Sequence, residues 1–146
     1  MGKPRRIFLD ANILFSAAKS AGAVRELLSD LHADGLRLVV DAYVTAEARR
    51  NIAIKADAAS HRYLEALLNA VEAATAYPQM QDDQFAHLVD WLPEKDRPVL
   101  RAAIANRCDA LVTGDRKDFG SGFGQSFGGV VIYTPAQLVL AVWLEA

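Results

Sequence analysis

The sequence predicts an α/β fold, a three-layer α/β/α sandwich around a central parallel sheet. Two observations predict it. Short runs that are apolar almost throughout fit strands buried on both faces: Arg6-Ile7-Phe8-Leu9, Leu36 to Val40, Ala110 to Thr113 and Val130 to Tyr133. Segments with apolar residues at helical spacing separate these runs nearly everywhere, as crossover helices separate parallel strands. A third observation concerns chemistry. Asp10 and Asp115 follow strands directly, and in open α/β sheets sites form outside the carboxyl ends of the strands.

In chain order, the first strand ends at Asp10, and Ala11 to Leu14 begins a helix. Val24, Leu27, Leu28 and Leu31 repeat at helical spacing, and Gly35 is a natural stop. After the strand Leu36 to Val40, Thr45 is the expected cap of a helix that carries Glu47 in its first turn. Residues 60–76 read as an amphipathic helix with Tyr63, Leu67, Leu68 and Val71 on one face. A short strand is expected near residues 74–77, and Pro78 to Asp83 reads as a polar loop. Periodicity leaves Phe85 to Leu92 open between helix and strand.

The stretch from Lys95 to Gly120 organises the chain. Asp96 opens a helix whose first turn takes Pro98, where the missing N–H costs nothing. Val99, Leu100, Ala103 and Ile104 give its apolar face. A tight turn leads to the strand Ala110 to Thr113, closed by Gly114-Asp115. Gly120 to Gly124 reads as a flexible loop. Pro135 starts a C-terminal helix that runs to Leu144.

The chain has 146 residues, so residues 1–146 are expected to form one domain with a single core. A net charge of −2 supplies no global basic field, so a nucleic-acid function must rest on local cations or metal ions. The lone cysteine, Cys108, excludes an intramolecular disulfide and points to a reducing compartment. Lys3, Arg5 and Arg6 precede only a short apolar run, so no signal peptide is read. No apolar run approaches about 20 residues, which excludes a membrane helix. The expected location is the cytoplasm.

If the strands before Asp10 and Asp115 are adjacent, their carboxylates share one edge of the sheet. Glu47 and Asp96, at helix starts, reach the same edge under right-handed connections. Like charges about 5 Å apart repel by roughly 3 kcal/mol at an effective dielectric near 20. Such a cluster calls for protonation or a bound cation. Oxygen-only donors favour Mg²⁺ or Mn²⁺ over Zn²⁺. Taken singly, each acid also has a bland reading as turn former, cap or dipole partner. Asp82, Asp83 and Asp90 read as solvated surface. The joint placement of Asp10, Glu47, Asp96 and Asp115 at one edge carries the functional reading.

The segments LDANILFSA, AEARRN and LVTGDRKDF, in that order, resemble a PIN domain, and more narrowly bacterial PIN proteins of the VapC toxin kind. The resemblance covers nearly the whole chain. It implies a Mg²⁺- or Mn²⁺-dependent ribonuclease with a parallel-sheet sandwich fold. It places the motif acids on Asp10, Glu47, Asp96 and Asp115, with Glu94 as a competitor for the third position. Asn12 follows the first acid, Thr113 takes the position of a small hydroxyl residue that holds it, and Asp118 matches an additional acid. The resemblance also implies an RNA substrate, a homodimer and an antitoxin partner that inserts Arg or Lys into the acidic pocket. The helix bearing Val24, Leu27, Leu28 and Leu31 is either core or part of such an interface.

Arg49, Arg50, Arg97, Arg116 and Lys117 adjoin the motif acids and are candidate phosphate contacts, Arg116 and Lys117 first because they share the Asp115 loop. His32, His61 and His87 have no motif context. Two phosphoryl-transfer alternatives fit less well. A haloacid-dehalogenase-type site wants a second Asp where Asn12 stands, and a receiver domain wants paired acids where Phe8-Leu9 stand. The remaining alternative is a catalytically silent binding module of the same fold.

Overall fold

A computed structural model describes residues 2–74 and 85–144. Strand β1 is Arg6–Leu9, followed by helices α1 (Ala11–Lys19) and α2 (Ala23–Ala33). Strand β2 (Arg37–Val40) leads into α3 (Ala42–Lys55) and α4 (Ala58–Ala70), then β3 (Glu72–Ala73). A short α5 (Ala86–Val89) and a 3₁₀ turn (Glu94–Asp96) precede α6 (Arg97–Ala105) and β4 (Ala110–Val112). The chain then forms α7 (Arg116–Phe119), β5 (Ser126–Phe127), β6 (Val130–Tyr133) and α8 (Pro135–Val139).

The sheet order is β3-β2-β1-β4-β6-β5, parallel except for the β5–β6 edge pair. From β1 the chain steps outward to β2 and β3, then returns to β4 on the other side. Right-handed connections put helices of opposite steps on opposite faces, which gives the expected three-layer sandwich. The point where the direction reverses lies between β1 and β4. Open α/β sheets bind ligands there.

The central strands are sealed. Ile7, Phe8, Leu9, Ala110, Leu111 and Val112 are fully buried. Leu27, Leu28 and Leu31 are also buried within this one chain, so the face of α2 read as core or interface is core. Arg25 ties three helices together: it donates to the carbonyls of Ala17 (2.8 Å) and Ala18 (3.2 Å) and lies 3.7 Å over the Tyr63 ring. At the amino end of the sheet, Arg6 donates to Glu72 at 2.8 Å, pinning the two-residue β3. That guanidinium holds the Glu72 carboxyl below its ordinary value.

Several boundaries differ from expectation for local reasons. Asp41, not Thr45, caps α3 by accepting from Val44 N at 3.0 Å, so Glu47 lies beyond the first turn. Asp57 caps α4 three residues before Ser60, and the helix stops where β-branched Val71 turns extended. The short strand after α4 falls at Glu72–Ala73, and residues 75–77 and 78–83 lie outside the described residues. Within residues 85–92 only Ala86–Val89 is helical, flanked by turns, with Val89 and Leu92 buried. The C-terminal helix is α-helical only to Val139 and continues as a π-turn over Leu140–Leu144. Its start is a capping box between Thr134 and Gln137. The loop expected to be flexible instead forms a 3₁₀ turn over Gly120–Gly122. There Gly122 is buried against Trp91, where a Cβ would stand 2.3 Å from the ring.

The tight turn between α6 and β4 follows from its hydrogen bonds. Arg107 takes a left-handed φ of 57° while its N–H donates to Ile104 O and that of Cys108 to Ala103 O. This pattern satisfies the last helical carbonyls. It delivers the chain into β4 beside β1.

Candidate functional site

Because β1 and β4 are adjacent and parallel, with Leu9 opposite Val112, the residues that follow them share the carboxyl edge. Asp10 sits there almost fully covered, 6% exposed, and caps α1 by accepting from Ala11 N at 2.7 Å. Its second oxygen accepts from Thr113 Oγ1 at 2.8 Å and from Asn12 Nδ2 at 3.2 Å. Asn12 is oriented in turn by Gly114 N, which donates to its Oδ1 at 2.8 Å. Asn12 and Thr113 thus both donate to the first acid of the edge.

Burial raises the Asp10 carboxyl to about 6, and the nearby charges of Glu47 and Asp96 push the same way. The bonds from Thr113 and Ala11 oppose the rise without cancelling it.

A tighter group lies beside it. One carboxylate oxygen each from Asp96, Asp115 and Asp118 falls within 4.8 Å of the others. Asp115 caps α7 by accepting from Asp118 N at 3.0 Å, which draws the two acids together. Asp96 arrives from the 3₁₀ turn before α6. Glu94, two residues earlier, is exposed and outside the group, so Asp96 is the acid brought to this edge. The four motif acids do not form one equal set. Asp118 joins the tight trio, whereas Asp10 and Glu47 lie outside it; Asp10 feels the charges of Glu47 and Asp96.

The sequence reading missed Lys95. Its Nζ lies 2.9 Å from Asp96 Oδ2 and 2.7 Å from Asp118 Oδ2. The ammonium holds Asp118 below its ordinary value, whereas burial keeps Asp96 above its own. Tyr43, from α3, donates its hydroxyl to Lys95 O at 2.6 Å. No spacing rule joins residues 43, 95 and 118; only the folded edge does.

The basic candidates divide. Arg116 and Lys117 are exposed on α7 beside Asp115. Arg97 is not available as expected: its Nε donates to Leu92 O at 2.8 Å and its Nη2 to Asp90 O at 3.2 Å. Arg49 is held by Glu65 through two bonds of 2.8 Å.

Oxygen donors alone, three of them mutually close, suit a hard divalent cation. An ammonium already bridging two of them marks the place as one that calls for positive charge. Asp96, Asp115 and Asp118, with Asp10 beside them, could hold such an ion.

The sequence profile of the PIN domain matches residues 6–117. Curated protein sequences give no match. Among solved structures, the chain is similar to VapBC2 from Rickettsia felis bound to a DNA fragment from their promoter. That likeness has a TM-score of 0.62 at 17% identity and covers 88% of this chain and 98% of that one. FitAcB from Neisseria gonorrhoeae gives 0.56 at 15% identity, covering 89% and 98%. The Mycobacterium tuberculosis sarcin–ricin loop cleaving toxin VapC20 gives 0.51 at 14% identity, covering 83% and 98%. At these identities the likeness is one of fold. No described helix is long and apolar enough to cross a membrane.

Proposed function

This chain belongs to the PIN domain family, and we propose that it is a Mg²⁺- or Mn²⁺-dependent endoribonuclease, the toxin of a toxin–antitoxin pair. The observation that carries the reading is the convergence of Asp96, Asp115 and Asp118 within 4.8 Å, beside buried Asp10 at the switch point of the sheet. Asp10, Asp96, Asp115 and Asp118 would hold the ion, and Glu47, whose charge acts on Asp10, would add negative charge nearby. A bound divalent ion supplies an activated water and charge stabilisation for phosphodiester hydrolysis.

The remaining work falls to this chain's own residues. Thr113 and Asn12 fix the Asp10 carboxylate, and their bonds lock its orientation before an ion or substrate arrives. Arg116 and Lys117, exposed on the loop that presents Asp115, contact RNA phosphates and orient the strand. An antitoxin and a homodimer complete the assembly, in the cytoplasm. The antitoxin partner is supported by the likeness to the VapBC2 and FitAcB structures.

Cleavage of a structured RNA hairpin and of a single-stranded RNA by purified protein in Mn²⁺, stopped by EDTA, tests the reading. The second reading is a catalytically silent module of the same fold, favoured by the ammonium that already bridges two of the acids. It predicts no cleavage in Mn²⁺ by wild type, or by any variant that frees those acids.

A further inference from the structure

We infer that the Lys95 ammonium is a tethered counter-cation in the acidic trio, displaced by the incoming divalent ion, so that Lys95 sets the metal affinity of the site. The inference rests on the metal-dependent reading above and concerns a residue that reading does not use.

The geometry points to competition. Nζ contacts Asp96 Oδ2 at 2.9 Å and Asp118 Oδ2 at 2.7 Å, and both acids belong to the trio. A divalent ion bound to the same carboxylates at about 2.1–2.5 Å would stand within a few ångströms of that ammonium. The two cations repel, and the oxygens cannot direct their charge fully at both. The anatomy of Lys95 suits a cation that leaves. Its backbone is anchored, because Tyr43 donates to its carbonyl at 2.6 Å from a different helix. Its side chain is 67% exposed, so four methylenes can swing the ammonium into solvent without disturbing the core. A fixed backbone with a free arm returns the same charge to the same place whenever the ion departs. The three acids are thus partly neutralised in the metal-free protein and remain convergent.

The test measures Mn²⁺ binding directly, by electron paramagnetic resonance of the free ion, in wild type, Lys95→Gln and Lys117→Gln. Lys117 is exposed on α7, the helix that carries Asp118, and touches none of the acids through any described contact, so its variant controls for loss of one positive charge nearby. Lys95→Gln should bind Mn²⁺ about tenfold more tightly, and Lys117→Gln should change binding less than about threefold. Without metal, Lys95→Gln should melt below wild type; at saturating Mn²⁺ the two should melt together, because a displaced lysine no longer contributes.

If Lys95→Gln binds no more tightly than wild type, or if Lys117→Gln gains as much, the competition is refuted and the metal site stands. Should neither wild type nor Lys95→Gln bind Mn²⁺ at all, the metal-dependent reading itself falls, and this inference with it.

Discussion

The hydroxyl of Thr113 donates to Asp10 Oδ2 at 2.8 Å, joining the ends of two adjacent strands at a buried point. Both lone pairs of that hydroxyl are used, by Asn12 Nδ2 and by Asp115 N, each at 3.1 Å. Its one hydrogen must therefore point at Asp10, which must accept.

Thr113→Val keeps the shape and removes the oxygen. The Asp115 N–H and one acceptor position of Asp10 then lose their partner in a residue that is fully buried. We expect a loss of about 1–3 kcal/mol in urea unfolding, and a smaller one for Thr113→Ser. A Val variant as stable as wild type would show that this bond does not organise the edge.

Asp10 also sets the pH response. Its folded value, about 6, lies above the ordinary 3.8, so between roughly pH 4 and 6 the native state binds the proton that the unfolded state has released. Stability of the metal-free protein should fall across that window, by up to about 3 kcal/mol from this group. Asp96 is raised too and adds the same sign. Asp118 is depressed by Lys95, so its contribution is lost only as pH falls below the ordinary carboxylate range. Asp10→Asn should flatten the slope, whatever its absolute stability. Urea midpoints from pH 4 to 7.5 decide this; a rise with pH would contradict the burial argument.

Asp115→Asn and Arg116→Ala should separate chemistry from binding. The first removes an acid of the trio and should lower RNA cleavage at saturating substrate at least about a hundredfold. The second should mainly raise the apparent Kd and reduce the salt slope by about one contact. Single-turnover cleavage and filter binding at several salt concentrations distinguish them. Equal effects of both variants on the cleavage rate would argue that Arg116 does more than hold phosphate.

Gly122→Ala should disturb the site from outside. The added methyl would meet Trp91, whose ring is stacked on Phe127 at 4.8 Å and set edge-on to Phe119 at 6.3 Å. Phe119 ends the helix that Asp115 caps. Overpacking here should cost about 1–3 kcal/mol and weaken Mn²⁺ binding through the displaced loop. Near-ultraviolet circular dichroism of the tryptophan bands and a Mn²⁺ titration check both parts; a variant with unchanged binding would uncouple the aromatic cluster from the acids.

The sheet and its acidic edge were legible where the signal is local. Asp10 and Asp115 stand at the ends of short apolar strands, and adjacency of those strands follows from an ordinary doubly wound order. The register of Glu47 was not legible, because a cap at Thr45 puts it in the first turn, and only the fold shows that Asp41 caps the helix instead. Nor was the two-residue β5, too short for any period, or the ordering of Gly120–Gly122, which depends on an indole 31 residues earlier in the chain. Lys95 was hidden for the same reason: the partner of its ammonium, Asp118, lies 23 residues further on. Arg97 looked like a phosphate contact because sequence shows a charge but not the carbonyls that occupy it.

The Thr113–Asp10 bond spans 103 residues, whereas β1 can meet β2 after only one pair of helices. On a growing chain, synthesised from its amino end, β1 and β2 can therefore pair long before β4 emerges. The buried carboxylate of Asp10 has no hydroxyl to hold it, and no neighbouring trio, until the segment from β4 to Asp118 is made. An incomplete chain stalled at the ribosome would carry the first acid but no assembled centre. The order of residues along the chain thus keeps the destructive chemistry proposed for this fold silent until the segment through Asp118 is synthesised, and pulse-labelled truncations ending before residue 110 should neither retain Mn²⁺ nor cut RNA.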